Sequence, residues 1–443
     1  MRLKEHGEVF MKTFCLSLFL ILSVNYPLAA QDSSQTEQSM PGMEHHHGHG
    51  GPSTLIEEIL HHGTSGTTVE PDSTPHDMLM VEKGDWQFML HGVAFLNVLQ
   101  QSGPRGGDKV FSTNWLMGMA QHSLGPGKLV LRGMISLEPA TVTHQFYPEL
   151  FQQGETAFGK PITDGQHPHD FFMELAALYD IKLGEHALLS FYAAPVGDPA
   201  MGPAAYAHRV SASEDPIATL GHHLQDSTHI AADVITAGLT YKSVRLEASG
   251  FHGREPDEFR WDIDTGKINS WSTRLTVQPG KNWSAQYSFA NLVSPEALHP
   301  NEDLQRMTAS VMYNQPLSHG NWASTLLWGR NHSLANGENF NGYLAESTLR
   351  FADLNYVWGR IENVDRTTEL LLNGHPEPPG FEESFLARVQ AYTFGYDREF
   401  KFVSHVATAV GGQVTLYRKP QFLTPLYGAH PAGVVLFLRV RVE

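Results

Sequence analysis

The sequence predicts an all-β protein: a transmembrane, antiparallel, up-and-down β-barrel of about sixteen strands behind a disordered N-terminal tail. Three observations predict it. Short segments with alternating apolar and polar residues fill the chain from Trp86 to Val442. Such period-2 alternation marks strands, because successive side chains leave a strand on opposite faces. The gaps between the segments alternate short and long, which sorts the joins to two ends of one cylinder. No later stretch reaches the ~18 apolar residues of a spanning helix. A membrane span must therefore be a closed barrel.

Residues 1–30 read as an export leader. Met11 is the expected start, Lys12 supplies the positive region, Phe14 to Val24 the apolar run, and Pro27-Leu28-Ala29-Ala30 the cleavage site. The one cysteine, Cys15, falls inside this leader. The mature chain is expected to have no thiol or disulfide chemistry.

Residues 31–84 are rich in Ser, Thr, Gly, Pro and His and are expected to be a disordered periplasmic tail. It holds one apolar island. Ser53 is placed to cap a short helix near 54–62, with Ile56, Ile59 and Leu60 on one face. Such a helix is too short to stand alone. It must dock on a partner or on the barrel mouth, or be an incidental patch in a linker.

Residues 85–443 form the predicted barrel. Strands are expected near 86–98, 111–122, 128–138, 171–182, 186–194, 229–241, 243–252, 268–278, 282–292, 305–315, 321–330, 341–351, 353–362, 388–400, 402–417 and 434–442. Most approach the nine to eleven residues or so that cross a bilayer when tilted. Short joins such as Gly184-Glu185 and Lys242 alternate with long ones near 139–170, 195–228, 253–267 and 363–387. An even strand count leaves both termini at the short-turn, periplasmic end. Trp283, Ala285, Tyr287 and Phe289 share one face, and Asn282, Ser284, Gln286 and Ser288 the other. Leu354, Tyr356 and Trp358 read as another apolar face, as do Tyr392, Phe394 and Tyr396, and Leu436, Leu438, Val440 and Val442. Aromatics near strand ends fit the two interfacial girdles of such barrels.

In these features the chain resembles bacterial outer-membrane porin-like barrels across roughly residues 85–443. The resemblance implies a location in the outer membrane of a Gram-negative-type bacterium, contact with outer-membrane lipid, and passage of small solutes or metal ions. The chain departs from that pattern in ending Val440-Arg441-Val442-Glu443, where such barrels commonly carry a terminal aromatic residue.

Charge excludes one class and suggests a site. Forty-seven acidic against 30 basic residues give a formal net charge of −17, which argues against nucleic acid. Arg132, Glu138, Glu174, Arg245, Glu247, Arg274, Arg306, Glu346 and Arg350 fall on the polar face and are the expected pore-lining residues. On the lipid face a charge near the midplane is strongly unfavourable. Facing a lumen, segregated Arg and Glu bias which solutes pass. The same residues also suit a closed barrel filled by ion pairs. The long joins 139–170 and 195–228 can fold inward and narrow the passage.

The chain carries 25 histidines. The tail tract Met40-Pro41-Gly42-Met43-Glu44-His45-His46-His47-Gly48-His49 joins imidazoles with thioethers, a donor set suited to copper and zinc. It resembles the His/Met-rich tails of copper-resistance outer-membrane proteins of the B type. Two loop clusters add His167, His169 and Asp170, and His222, His223 and His229. If they converge they offer a copper or zinc site. They serve equally to fasten the two loops by hydrogen bonds. No cofactor is required for a channel.

No Gly-x-Ser-x-Gly elbow, His-Glu-x-x-His or phosphate loop is present. No catalytic residue is assigned. Asp226, Ser227 and His229 supply hydrolase residue types, but triad members normally come from separate elements. An outer-membrane channel, with a link to copper or another transition metal, is the expected function. A membrane-embedded hydrolase and a structural barrel whose tail binds a periplasmic partner stay open beside it.

Overall fold

The computed structural model describes residues 54–226, 231–297, 299–373, 375 and 386–442. The leader, the tail histidines His45, His46, His47 and His49, and His229 lie outside the described residues.

Among the described residues, nineteen strands follow one another. They begin with β1 Leu79–Lys83, β2 Trp86–Gln101, β3 Asp108–Leu124, β4 Gly127–Ile135, β5 Tyr147–Ala157 and β6 Lys160–Gln166. Next come β7 Phe172–Lys182, β8 Ala187–Gly197, β9 Ala231–Tyr241, β10 Val244–His252, β11 Ser270–Gly280 and β12 Trp283–Leu292. The series ends with β13 Leu304–Leu317, β14 Gly320–Ser333, β15 Asn339–Phe351, β16 Asn355–Thr367, β17 Leu386–Val403, β18 Val406–Arg418 and β19 Ala432–Val442.

Sixteen of them close a single antiparallel barrel, each paired with its neighbours in chain order apart from β5 and β6. The last strand pairs with the first long one, from Gly433↔Gln101 to Val442↔Gly92, so no edge is left open. The short strand β1 folds back on the start of β2, Leu79 opposite Leu90, where β19 has already ended. Short turns at 125–126, 242–243, 281–282 and 318–319 lie at one end, and long joins at the other.

Alternation along each strand sets the two faces. In β14 Leu326 is 61% exposed, while the next residue back, Thr325, is 2% exposed. Outward residues such as Leu239, Leu246, Leu275 and Ile361 make an apolar band. Outward aromatics flank it: Tyr241, Trp283 and Trp322 towards the short turns, Trp271 and Tyr343 towards the long joins. In water so much exposed apolar surface is unfavourable, whereas in lipid it is matched. The chain is a closed β-barrel whose outer face is matched to lipid.

Three findings correct the sequence reading. First, β4 stops at Ile135, so Glu138 is not on a strand but opens a turn of helix, Glu138–Thr141. Pro139 has no N–H to give a ladder, and the chain leaves the wall there. Second, Tyr356 and Trp358 are 6% and 3% exposed and face the interior. Trp358 donates to Gln413 at 3.2 Å, and Tyr356 lies under the Arg439 guanidinium at 5.1 Å. Third, residues 54–84 are not a disordered tail. The helix Leu55–His61 buries Leu55, Ile56 and Ile59 with Val69 against Leu188 of β8. Its cap is Thr54, whose hydroxyl accepts from Glu57 N at 3.3 Å, rather than Ser53.

Candidate functional site

The interior of the barrel is the site. A barrel of this strand number has room for an aqueous channel. Three parts of the chain occupy it: residues 54–78, the β5–β6 hairpin with its flanks, and the join 198–226.

Residues 63–76 enter at the short-turn end and are held by the wall through polar contacts. Arg132 gives one N–H to Gly66 O at 2.9 Å and pairs with Glu174 at 3.2 Å. Glu174 in turn accepts from Gly66 N and from the Tyr192 hydroxyl. Arg274 donates to Thr67 Oγ1 at 2.8 Å, to Gly202 O at 3.0 Å and to Glu247 at 2.9 Å. Arg245 completes that group on Glu247 at 3.2 Å. Gln278 donates to Glu70 O at 2.6 Å, Asn314 to Ser73 O at 2.6 Å, and Ser73 N to Lys281 O in a short turn at 2.9 Å. Gly66 sits at φ +58 with Asp198 pressed on it, so a Cβ there would lie 2.4 Å from the Asp198 Cβ. Only glycine meets both demands without strain.

The join 198–226 is buried nearly throughout. At its centre Arg209 is fully buried and pairs with Glu346 at 2.6 Å and Asp226 at 2.8 Å. Glu214 binds Arg439 and Arg441, and Asp215 pairs with Arg360 at 3.1 Å. The β5–β6 hairpin brings Leu150 and Phe151 against Leu220, Leu224 and Tyr427. Arg366 fixes it through Phe151 O at 2.8 Å and Gln152 at 2.7 Å. A cavity of about 140 Å³ remains beside the entering segment, lined by His76, His91, Trp115, His208, Glu214 and Arg441 among others.

Every strand residue named from sequence as pore-lining has its side chain on the inner side of the wall. Arg132, Glu174, Arg245, Glu247, Arg274 and Glu346 are ion-paired there. Arg306 donates to Asn331 at 2.8 Å. Arg350, at the strand end, donates to Asp353 O at 2.8 Å. Glu138, in the join, pairs with His169 at 3.0 Å and accepts from Asn114 N. Sequence reasoning missed Arg209, Glu214, Arg260, Arg360, Glu362 and Arg439. Parity offered a signal for two of them, since Arg360 and Glu362 share a face with Tyr356 and Trp358. Assigning those aromatics to lipid hid the charges behind them.

The two histidine loops meet. His167 lies 5.3 Å from His223 and 5.7 Å from His222, ring centre to ring centre, and His222 and His223 are 4.0 Å apart. His169 and Asp170 are engaged elsewhere, with Glu138 and with Arg260 at 3.1 Å. Asp226 is committed to Arg209, and Ser227 and His229 lie outside the described residues.

Burial shifts several interior groups. It pushes the Glu70 carboxyl up to about 7 and, with Glu174 adding to it, Asp198 up to about 7. It drives the His61 imidazole down to about 3, helped by His76 and His62. In each case removal from water penalises the charged form. Glu70 and His61 of the entering segment are therefore docked with a bias towards neutrality, whereas His76, against the pull of burial, is raised towards its charged form by the Glu58 carboxylate beside it.

No protein-family model matches the sequence, and no curated protein resembles it in sequence. Solved structures do resemble it in fold. The anion-selective porin from Comamonas acidovorans superposes with a TM-score of 0.49 at 10% identity, covering 80% of this chain and 99% of that one. OmpF of Salmonella typhi in complex with daunomycin gives 0.48 at 8% identity, covering 82% and 100%. The outer membrane channel DcaP of Acinetobacter baumannii gives 0.44 at 10% identity, covering 81% and 98%.

Proposed function

We propose that the protein is an outer-membrane channel for small polar solutes or ions, closed in this state by residues 54–78 and the two inward loops. One observation carries the reading. The inner wall facing residues 63–74 is polar and charged and holds them mainly by hydrogen bonds, while apolar contacts are confined to the helix on Leu188 and to an inner patch around Met89, Met117 and Met134. The polar part of the wall is stable when hydrated, so removing its occupant leaves a wettable path along that side of the lumen. Inward arginines and glutamates then set the field that selects among solutes.

Planar-bilayer recording tests it. The full chain should show low, intermittent conductance, and deletion of residues 54–76 should raise single-channel conductance several-fold. A deleted barrel that assembles yet carries no current would exclude the channel and favour a structural barrel.

A further inference from the structure

We propose that His167, His222 and His223, with Glu155 as a fourth donor, form a binding site for a zinc-class divalent ion that joins the two inward loops. The site goes beyond the channel reading and stands whether or not the barrel conducts.

One ligand atom from each of the three histidines lies within 4.8 Å of the other two. The residues come from separate loops. His167 leaves the β5–β6 hairpin, and His222 and His223 open the short helix His222–Gln225. Two of the three rings are oriented from behind by an oxygen at hydrogen-bond distance, and the third has a carboxylate nearby. His167 Nδ1 faces Pro168 O at 3.0 Å, and His222 Nε2 faces Gln166 Oε1 at 2.9 Å. His223 Nδ1 faces Glu255 Oε1 at 3.7 Å. Gln166 Oε1 already accepts from Gln152, so it acts towards His222 as an acceptor. Metal-bound imidazoles show this pattern, because an acceptor behind the ring fixes the tautomer and leaves the other nitrogen basic.

The opposite nitrogens, His167 Nε2, His222 Nδ1 and His223 Nε2, are buried. Glu155 Oε1 lies 3.0 Å from His167 Nε2, and Glu155 also groups with His223 and Glu255. Charge favours a cation, since Glu155 and Asp170 pair with Arg260, and Glu255, with Arg260 and Arg306 near it, lies beside His223. Space is provided by Gly154, where a Cβ would lie 2.6 Å from His223 Nε2. Tetrahedral coordination at ~2.0 Å needs nitrogens about 3.4 Å apart, a contraction within reach of a small turn of the half-buried His223 ring. Three imidazoles and a carboxylate suit Zn²⁺ or Cu²⁺ and are a poor set for Mg²⁺.

The test uses the full chain with His45, His46, His47 and His49 changed to Ser, so that the tail cannot mask the loops. After chelation it is titrated calorimetrically with Zn²⁺, and Co²⁺ absorption reports the geometry. The expected result is one tight equivalent and a tetrahedral Co²⁺ spectrum. His167→Ala and His223→Ala should each remove that equivalent, and the double change should remove nothing more. His169→Ala, whose partner is Glu138, should leave it intact. Heat-modifiable migration checks that each variant has folded. Should an alanine variant fail to fold, Glu155→Gln decides by a loss of at least tenfold in affinity. Absence of the tight equivalent and of the Co²⁺ spectrum in the parent would overturn the site. Undiminished binding in the folded variants would do the same and leave hydrogen-bonded fastening of the loops.

Discussion

The wall and its contents are built by different physics. The wall is held by backbone ladders that run unbroken for long stretches, as between β13 and β14 from Leu304↔Ser333 to Leu317↔Gly320. Its closure leaves no edge from which to unravel. The contents are held mostly by side chains: Arg132, Arg274, Gln278 and Asn314 reach from the wall to single carbonyls and hydroxyls of residues 66–73. A ladder does not care which residue occupies a position, provided its face is right. A side-chain clamp is lost with one substitution. The wall is thus the permanent part of the molecule and the entering segment the removable part.

The largest expected effect falls on the wall's outer face. Leu326→Arg places a charge in mid-strand against lipid, at a loss of roughly 2–4 kcal/mol, and should nearly abolish assembled, heat-modifiable barrel. Arg306→Ala, on the inner face, should leave assembly intact. Equal outcomes would mean that the two faces have been exchanged.

A smaller effect is expected at the clamp. Arg274→Ala removes the donors to Thr67 and Gly202 and leaves Glu247 with Arg245 alone. Breaking a buried pair costs about 3–5 kcal/mol at the upper end, and the surviving Arg245 should reduce that. Limited proteolysis should then cut within 54–78 while the barrel resists. Unchanged protection of the segment would show that its apolar helix, not the clamp, holds it.

Acidity gives a third contrast. Burial raises Glu70 to about 7 from an ordinary value of 4.5. A raised acid favours the docked state fully below about 4.5, and that contribution is lost as pH rises through about 7. His61, lowered to about 3, acts oppositely: its contribution is present above 6.5 and is lost as pH falls through about 3. Hydrogen exchange of residues 63–76 should speed up as pH rises from about 4.5 to about 7 and level off above it, after correction for the intrinsic rate. Glu70→Gln should reduce that rise, with the remainder from Asp198 and Asp72, also raised to about 7, and an undiminished rise in the variant would exclude Glu70 as a source. The smallest effect is expected at the helix cap, where Thr54→Ala should weaken the docked helix by about 1 kcal/mol, read as faster exchange at Glu57.

The wall was legible in the sequence because alternation is imposed wherever one face meets lipid and the other does not. Leu246 beside Arg245 and Met307 beside Arg306 show the rule at work. It failed at Tyr356 and Trp358, where large aromatics fill the interior and alternation alone does not say which face is outside. The hairpin β5–β6 was illegible for a related reason. Both its faces lie within the barrel, so Gln152, Gln153 and Asp164 stand where a lipid-facing strand would carry apolar residues. Residues 63–76 read as linker because Ser65, Thr67 and Ser73 dock through hydroxyls and backbone, leaving almost no apolar pattern. The meeting of His167 with His222 and His223 depends on how two long joins fold, which strand periodicity does not encode.

The central claim is that passage through the lumen depends on release of the N-terminal segment. Cys15 is the only cysteine in the sequence, so a disulfide can be introduced without competition within residues 54–442. Ser73 and Asn314 touch through three hydrogen bonds and are the natural pair. Single-channel recording of the Ser73→Cys/Asn314→Cys protein should show a silent barrel when oxidised and recovered openings when dithiothreitol is added. Openings of equal frequency and size before and after reduction, or none under either condition, would contradict the account.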